Sequence, residues 1–272
     1  MIVILVFMRL RKGWKRIVSP DLKVESIGIF GGKLKSSHLV LPGQFVEATV
    51  KPRLSLHPGH IPDISTRSII ARHGVQVGFN QSHINEILAE GKLPRTVNLL
   101  HMGSIPLRLR RGNRIGRVYY PQMISPLRGQ EISKLKSLGK LSFGKDFRVF
   151  PNGRVEIRVQ PVVHELKSNP KEVVKTNWVS GSKRKEFMKH FERKKKDVKV
   201  KLGGVVLTET LPVKLPKDVG LFLQSSTGGN SIHIRSLLID PGYEGPIVLE
   251  LMGVKEGARP DKILAYFVRP SS

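Results

Sequence analysis

At 272 residues, with 39% hydrophobic residues, the chain is long enough for two domains or one elaborated β-rich unit and apolar enough to bury a core. It contains no cysteine, which excludes disulfide scaffolds, thiolate nucleophiles, iron–sulfur clusters and Cys-ligated zinc, including the zinc class of nucleobase deaminase. Lys and Arg number 47 against 21 Asp and Glu, a net charge of +26 that concentrates polyanions (nucleotide, nucleic acid or anionic lipid) near the surface.

Met1–Met8 (MIVILVFM) is apolar but far short of the roughly 20 residues that span a bilayer. Its basic residues, Arg9 to Arg16, follow the apolar run rather than precede it, unlike an export signal. The segment reads as a β-strand, or as an upstream extension with the start at Met8. No membrane association and a cytoplasmic location are expected. From there the chain is punctuated like an all-β protein, with turn signals at Leu41-Pro42-Gly43, His57-Pro58-Gly59, Arg111-Gly112-Asn113, Pro151-Asn152-Gly153 and Asp240-Pro241-Gly242. Strands are predicted at Glu47–Leu56, Arg154–Val159, Val205–Leu211, Ile247–Leu251 and Ile263–Val268; the second of these, RVEIRV, alternates strictly. A short helix is predicted over Ser82–Gly91, with Ile84, Ile87 and Leu88 on one face and a glycine stop. A second is predicted over Ser182–Lys196, with Phe187, Met188 and Phe191 on one face.

Ten Lys or Arg and three acids lie between Lys183 and Lys201. The run is either a solvated basic insertion or an electrostatic footprint on nucleic acid; its Phe187 and Phe191 are assigned to the helix's apolar face rather than to a base-stacking platform, so contacts would go to phosphates. Leu41–Ser68 and Leu202–Ser226 share a rhythm: glycine turn, alternating strand with a central acid and Thr, a proline-bearing turn, and a strand ending in Ser. Two copies of one β-rich unit account for the length. Nine histidines form no HxH or HxxxH cluster, so no metal site is expected. Ser231-Ile232-His233 shows no triad order, Gly228-Gly229 reads as a turn, and Trp14 and Trp178 read as packing anchors rather than base-stacking residues.

The sharpest segment is Leu238–Leu251 (LIDPGYEGPIVLEL). It reads as a hairpin with Asp240 and Tyr243 near its mouth and Glu250 in the returning strand. Two carboxylates so placed suit general-base work on a ligand; they suit equally a turn-stabilising Asp and an edge-strand Glu. The run resembles the third motif of the dCTP deaminase and dUTPase superfamily. Upstream, Thr66–Gly74 (TRSIIARHG) is similar to that family's phosphate segment, and Val97–Tyr120 (VNLLHMGSIPLRLRRGNRIGRVYY) to its fourth motif.

The resemblance implies two distorted jelly-roll (dUTPase-like β-clip) domains in tandem with few short helices. The expected domains are 9–132, with the phosphate segment and fourth motif, and 145–272, with the hairpin and a basic insertion at 169–201; they are joined near Ser133–Gly144. Family sites form between subunits of a trimer, so one composite site is expected from the first copy's phosphate segment and the second copy's hairpin, within the chain or across a homo-oligomer. The implied roles are Arg67, Ser68 and Arg72 on the triphosphate, Tyr243 and Asp240 at the sugar, and Glu250 as general base toward C4 of cytosine. Asp240 has an alternative role as base for α-phosphate hydrolysis. Mg²⁺ is expected to arrive with the triphosphate. The implied activity is hydrolytic deamination of dCTP, with dUTP diphosphate release as a possible coupled step; the alternative is a catalytically degenerate scaffold binding nucleic acid or a ribonucleoprotein through segment 183–201.

Overall fold

The computed structural model describes residues 13–14, 18–29, 37–52, 56–57, 60–167, 188–201, 205–224, 226–227, 232–234, 238–255, 257–258, 260 and 262–271. The expected strand at Met1–Met8, Trp178, and the Ser231 and Gly228-Gly229 positions lie outside these residues. The described chain is mostly β. Its first half contains β1 (Val18–Ile29), β2 (Ser37–Val40), β3 (Phe45–Lys51), β4 (Asp63–Thr66), helix α1 (Ser68–Arg72), β5 (Val75–Gly78), helix α2 (Gln81–Glu90), β6 (Thr96–His101), β7 (Leu107–Arg110) and β8 (Arg114–Tyr119). There follow β9 (Ile124–Pro126), helix α3 (Gly129–Ser137), β10 (Ser142–Phe143), β11 (Phe147–Val149), β12 (Arg154–Arg158), β13 (Val162–Leu166) and β14 (Phe191–Lys195). The chain ends with β15 (Val205–Lys214), β16 (Gly220–Leu223), β17 (Ser226–Thr227), β18 (Ile232–Ile234), β19 (Leu238–Ile239), β20 (Glu244–Gly253) and β21 (Lys262–Pro270).

Local sequence accounts for most of these elements. In β12 the inward Val155 and Ile157 are fully buried while their neighbours turn outward, the period-2 pattern of a half-buried strand. The turns at Gly43, Gly112, Gly153 and Gly242 all place glycine at positive φ, which side-chain-bearing residues reach only with strain. Helix α2 starts at Asn80, whose side chain accepts from the His83 amide at 2.8 Å, and stops at the left-handed Gly91. Its buried face differs from the expected one. Ile87 is buried, but Leu88 is 63% exposed and His83 takes an inward place, bonded to Thr96 at 3.1 Å.

The strands form a first-half sheet in the order β4-β8-β1-β3-β6-β5, and two second-half sheets built on β14-β13-β15-β20-β18-β17 and β11-β12-β21-β16-β19. One arrangement occurs twice. β6 lies between β3 and β5 as β20 lies between β15 and β18, and β8 lies between β4 and β1 as β21 lies between β16 and β12. Two hydrophobic cores accompany the sheets, one drawing on Leu22 to Tyr120 and the other on Leu127 to Phe267. Trp14 is 1% exposed and ties the two halves together. It packs with Val18, Tyr119 and Val268 and donates its indole N–H to the Asp218 carbonyl at 3.0 Å.

Two expectations change. Residues Phe191–Lys195, read as helix, form the edge strand β14, paired with β13 from Leu166↔Phe191 to Val162↔Lys195; only Met188 and Lys189 are helical, and Gly181–Phe187 lie outside the described residues. The open edge of β13 offers backbone partners that an isolated basic helix lacks, and Lys-rich sequence is typical of sheet edges. The stretch read as a joint, Ser133–Gly144, carries the end of α3 and β10, and Ile132, Leu135 and Leu141 are buried in the second core. Among the described residues no helix is long and apolar enough to cross a membrane.

If α3 is part of that core, Ile132→Ala should lower unfolding stability by about 2–5 kcal/mol. Urea denaturation measures this; a change below about 0.5 kcal/mol, normal for a surface position, would contradict it.

Candidate active site

Helix α1 is short, and its two arginines leave it at opposite ends. Arg67 is the N-cap residue, with extended backbone, directly after β4. Arg72 closes the last turn, and Gly74 then reverses the chain with φ +81°. Gly74 and Gly103 touch backbone to backbone: a Cβ on Gly103 would lie 2.1 Å from the His73 carbonyl oxygen. The contact is locked by the Met102 amide donating to the Gly74 carbonyl at 2.9 Å and by His101, which accepts from the Gly103 amide and bonds the Ile105 carbonyl at 2.8 Å. This fit fixes where Arg72 emerges.

Arg72 points at β20 of the other half. Its Nε lies 3.5 Å from Glu250 Oε1, and the two side chains are 1% and 0% exposed. Burying either charge alone would cost several kcal/mol; each supplies the counter-charge that makes the other tolerable.

Arg67 enters a second cross-half network. Asp21 on β1 stands directly across from Arg117 on β8 and accepts from its Nε at 3.0 Å, from Arg67 at 2.6 Å, and pairs with Arg114 at 3.3 Å. Arg117 in turn donates from Nη1 to both oxygens of Asp240, each at 2.9 Å. Burial alone would raise the Asp21 carboxyl, but the guanidiniums of Arg67 and Arg117 outweigh it and hold the group below its ordinary value of 3.8. Arg67 is lowered, first by burial and then by the like charge of Arg117; Arg117 is raised, because Asp240 and Asp21 overcome its burial. Asp21 and Arg117 carry this network, and neither was singled out individually in the sequence. Arg117 lies inside the Val97–Tyr120 run, one residue beyond its Ile-Gly; nothing local marks Asp21.

The structure therefore brings Arg72 to Glu250, and Asp240 to Arg67 through Arg117 and Asp21. The expected hairpin at Leu238–Leu251 is instead an arch between two sheets: β19 pairs with β16 and β20 with β15 and β18, because each strand finds its backbone partners in a different sheet. Tyr243, in the turn between them, donates its hydroxyl to the Pro246 carbonyl at 2.5 Å and leans on the second core. Ser68 opens α1, and its side chain lies outside the described part. Arg72 lines one cleft, of about 600 Å³, while Gly242 and Glu244 of the arch line another, of about 420 Å³, with Lys214 and Lys217.

The repeated arrangement supplies an internal comparison. In β6, His101 faces Val75, the first residue of β5; in β20, Gly253 faces Ile232, the first residue of β18. Three residues back stand Asn98 and Glu250, facing the third residues of β3 and β15, Glu47 and Leu207. Asn98 is thus the first-half counterpart of Glu250. Eight residues lie between β4 and β5 and between β16 and β18, so by count along the sequence Gly229, outside the described residues, matches Arg72. The arginine–glutamate combination occurs once, and at the matching positions the sequence has neither residue.

Arg72→Ala should destabilise the fold by about 3–5 kcal/mol by stranding a buried carboxylate, while Arg72→Met combined with Glu250→Leu should recover most of that loss. Urea denaturation of the two variants tests it. Because its pKa is lowered on folding, Asp21 contributes stability that is complete well above pH 3.8 and is lost as pH falls through its folded-state value. Asp21→Asn should therefore flatten the acid limb of stability below about pH 4, measured as urea midpoints across that range.

No protein-family model matches the sequence, and no curated protein does. The folded chain is similar to a solved structure, the crystal structure of 2′-deoxycytidine 5′-triphosphate deaminase from Agrobacterium tumefaciens, with a TM-score of 0.66 and 12% sequence identity over 92% of this chain and 85% of that chain. A match of that extent takes in both halves. The chain has a mostly β fold similar to that of this dCTP deaminase structure.

Proposed function

We propose that this chain processes a pyrimidine deoxynucleoside triphosphate at one composite site, deaminating dCTP to dUTP, with dUTP diphosphate release as a coupled step. The supporting observation is the Arg72–Glu250 pair, assembled from the two halves, while the matching sequence positions hold Asn98 and Gly229. A buried ion pair is a poor device for stability alone, since apolar residues of similar volume commonly do as well or better. A buried, paired carboxylate at the junction of the two halves fits a role in chemistry.

In this reading a phosphate oxygen of the substrate draws Arg72 away from Glu250, since guanidinium groups bind phosphate through paired, charge-assisted hydrogen bonds. The uncovered carboxylate then takes a proton from water as the water oxygen bonds to C4 of cytosine. The proton passes to the ring nitrogen N3; the carboxylate then carries the remaining hydroxyl proton to the C4 amino group, which leaves as ammonia as the C4–N bond breaks and the C4 carbonyl forms. Ser68 and, once Asp21 releases it, Arg67 take further phosphate oxygens; Asp240 and Tyr243 position the sugar. Mg²⁺ enters as part of the triphosphate substrate, and among the described residues no group of three His, Asp or Glu could hold a metal ion.

A scaffold reading, in which the fold binds nucleic acid through its basic segment, is favoured by one observation: Glu250 has no exposed surface. It predicts polymer binding with a steep salt dependence and no nucleotide turnover.

Incubation of the full chain with dCTP and with dUTP, following uracil nucleotide, ammonia and pyrophosphate, tests the proposal. Deamination should occur with dCTP, fall at least about 100-fold with Glu250→Gln, and be absent with deoxycytidine, which has no phosphate to move Arg72. Unchanged dCTP at high protein concentration would remove the deaminase reading. Turnover indifferent to Glu250→Gln would remove its base.

A further inference from the structure

The cleft of about 600 Å³ has one wall from the first half, with Arg72, His73 and the Gly103–Ile105 turn, and one from the second, with β13, Phe191 and residues 196–201. Its apolar floor is a cluster in which Ile105, Phe191 and Leu207 are buried. The basic segment thus forms part of a cavity that ends at Arg72.

Local geometry aims two of its lysines there. Val198 and Val200 are buried in the second core, and the Val200 amide donates to the Ala258 carbonyl at 2.9 Å in an antiparallel bridge. In an extended chain the alternate residues face the other way, and Lys199 and Lys201 both line the cleft. Asp197 shares that side, and Glu165 lines the opposite strand, where it is held by Lys194 at 3.0 Å and Lys196 at 2.8 Å. Lys199 and Lys201 have no ion-pair partner among the described residues.

Charge balance makes these lysines matter. A triphosphate carries several negative charges, yet the arginines nearest the composite site already face carboxylates, Arg67 with Asp21 and Arg72 with Glu250. Asp21 also holds Arg114 and Arg117, and with Asp240 included that network leaves a single positive charge in excess. Further uncompensated cations lie in the cleft that Arg72 lines. We infer that Lys199 and Lys201 hold the phosphates of the bound nucleoside triphosphate, so that the basic segment is the phosphate-binding wall of the site. This rests on the nucleotide reading above and adds to it two residues from outside the resembling motifs.

The test is equilibrium binding of inorganic tripolyphosphate and of dCTP to the full chain by calorimetry at several salt concentrations. Wild-type protein should bind both. Lys199→Ala/Lys201→Ala should weaken both about tenfold or more and reduce the salt slope by about 2, since each lysine that neutralises a phosphate accounts for about one unit. Lys23→Ala/Lys92→Ala, which removes the same charge from exposed first-half positions, should change neither. Equal tripolyphosphate binding by wild type and Lys199→Ala/Lys201→Ala, no binding by wild type, or equal weakening by the control pair would each overturn the inference. Turnover of dCTP with an unchanged KM in Lys199→Ala/Lys201→Ala would overturn it while leaving deamination standing. Lysine-dependent binding of both probes without turnover would uphold the phosphate wall and remove deamination.

Discussion

A glutamate with no exposed surface, on a central strand among aliphatic neighbours, can be accommodated only if something cationic meets it, and Arg72 does. That requirement reaches far into the fold. Arg72 arrives from the other half of the chain, on a five-residue helix whose end is set by the contact of Gly74 with Gly103. A side chain at either glycine would collide with backbone and displace the arginine from Glu250. The two cores are accordingly coupled through an electrostatic contact as well as through the apolar packing of Trp14.

The twofold recurrence of strand order gives that contact its meaning. The same pairings place Asn98 and Glu250 at corresponding positions, so the halves differ in chemistry while agreeing in architecture. Of the two corresponding positions, only the one on β20 carries the charged pair. A neutral amide in the first half removes the need for a counter-ion there, consistent with the glycine found at the position corresponding to Arg72.

The net charge of +26 is distributed with more structure than its size suggests. Between the halves three arginines share two carboxylates: Asp21 serves Arg67, Arg114 and Arg117 together, and Asp240 serves Arg117 from the other half. Along β13 and β14, Glu165 and Glu209 hold Lys194, Lys196 and Arg193 at the sheet edge. Beyond these pairs, the alternation that buries Val198 and Val200 leaves Lys199 and Lys201 facing the cleft. The same backbone periodicity that builds the second core thus also directs this charge.

Much of this was legible from sequence, because period-2 alternation and glycine turns are local. RVEIRV announced β12, the Pro-Gly and Asn-Gly turns fell where the chain reverses, and Ser82–Gly91 read as a helix, which the structure begins one residue earlier at Gln81. The Ile-Asp-Pro-Gly run and the Arg-Ser segment were likewise visible as residues, and with them the all-β fold. Phe191–Lys195 reads as helix because Phe187, Met188 and Phe191 fall at helical spacing, yet the charged residues after Phe191 carry no apolar period of their own, and pairing with the edge of β13 decided their conformation. Asp21 and Arg117 stayed hidden because their partnership is a matter of cross-strand register between β1 and β8, residues far apart in the chain. Sequence alone determined the strands, the turns and the candidate residue types. Tertiary structure alone decided that Arg72 meets Glu250 and that Arg67 meets Asp21, because the low-dielectric interior couples charges by distance in space and not by separation along the chain.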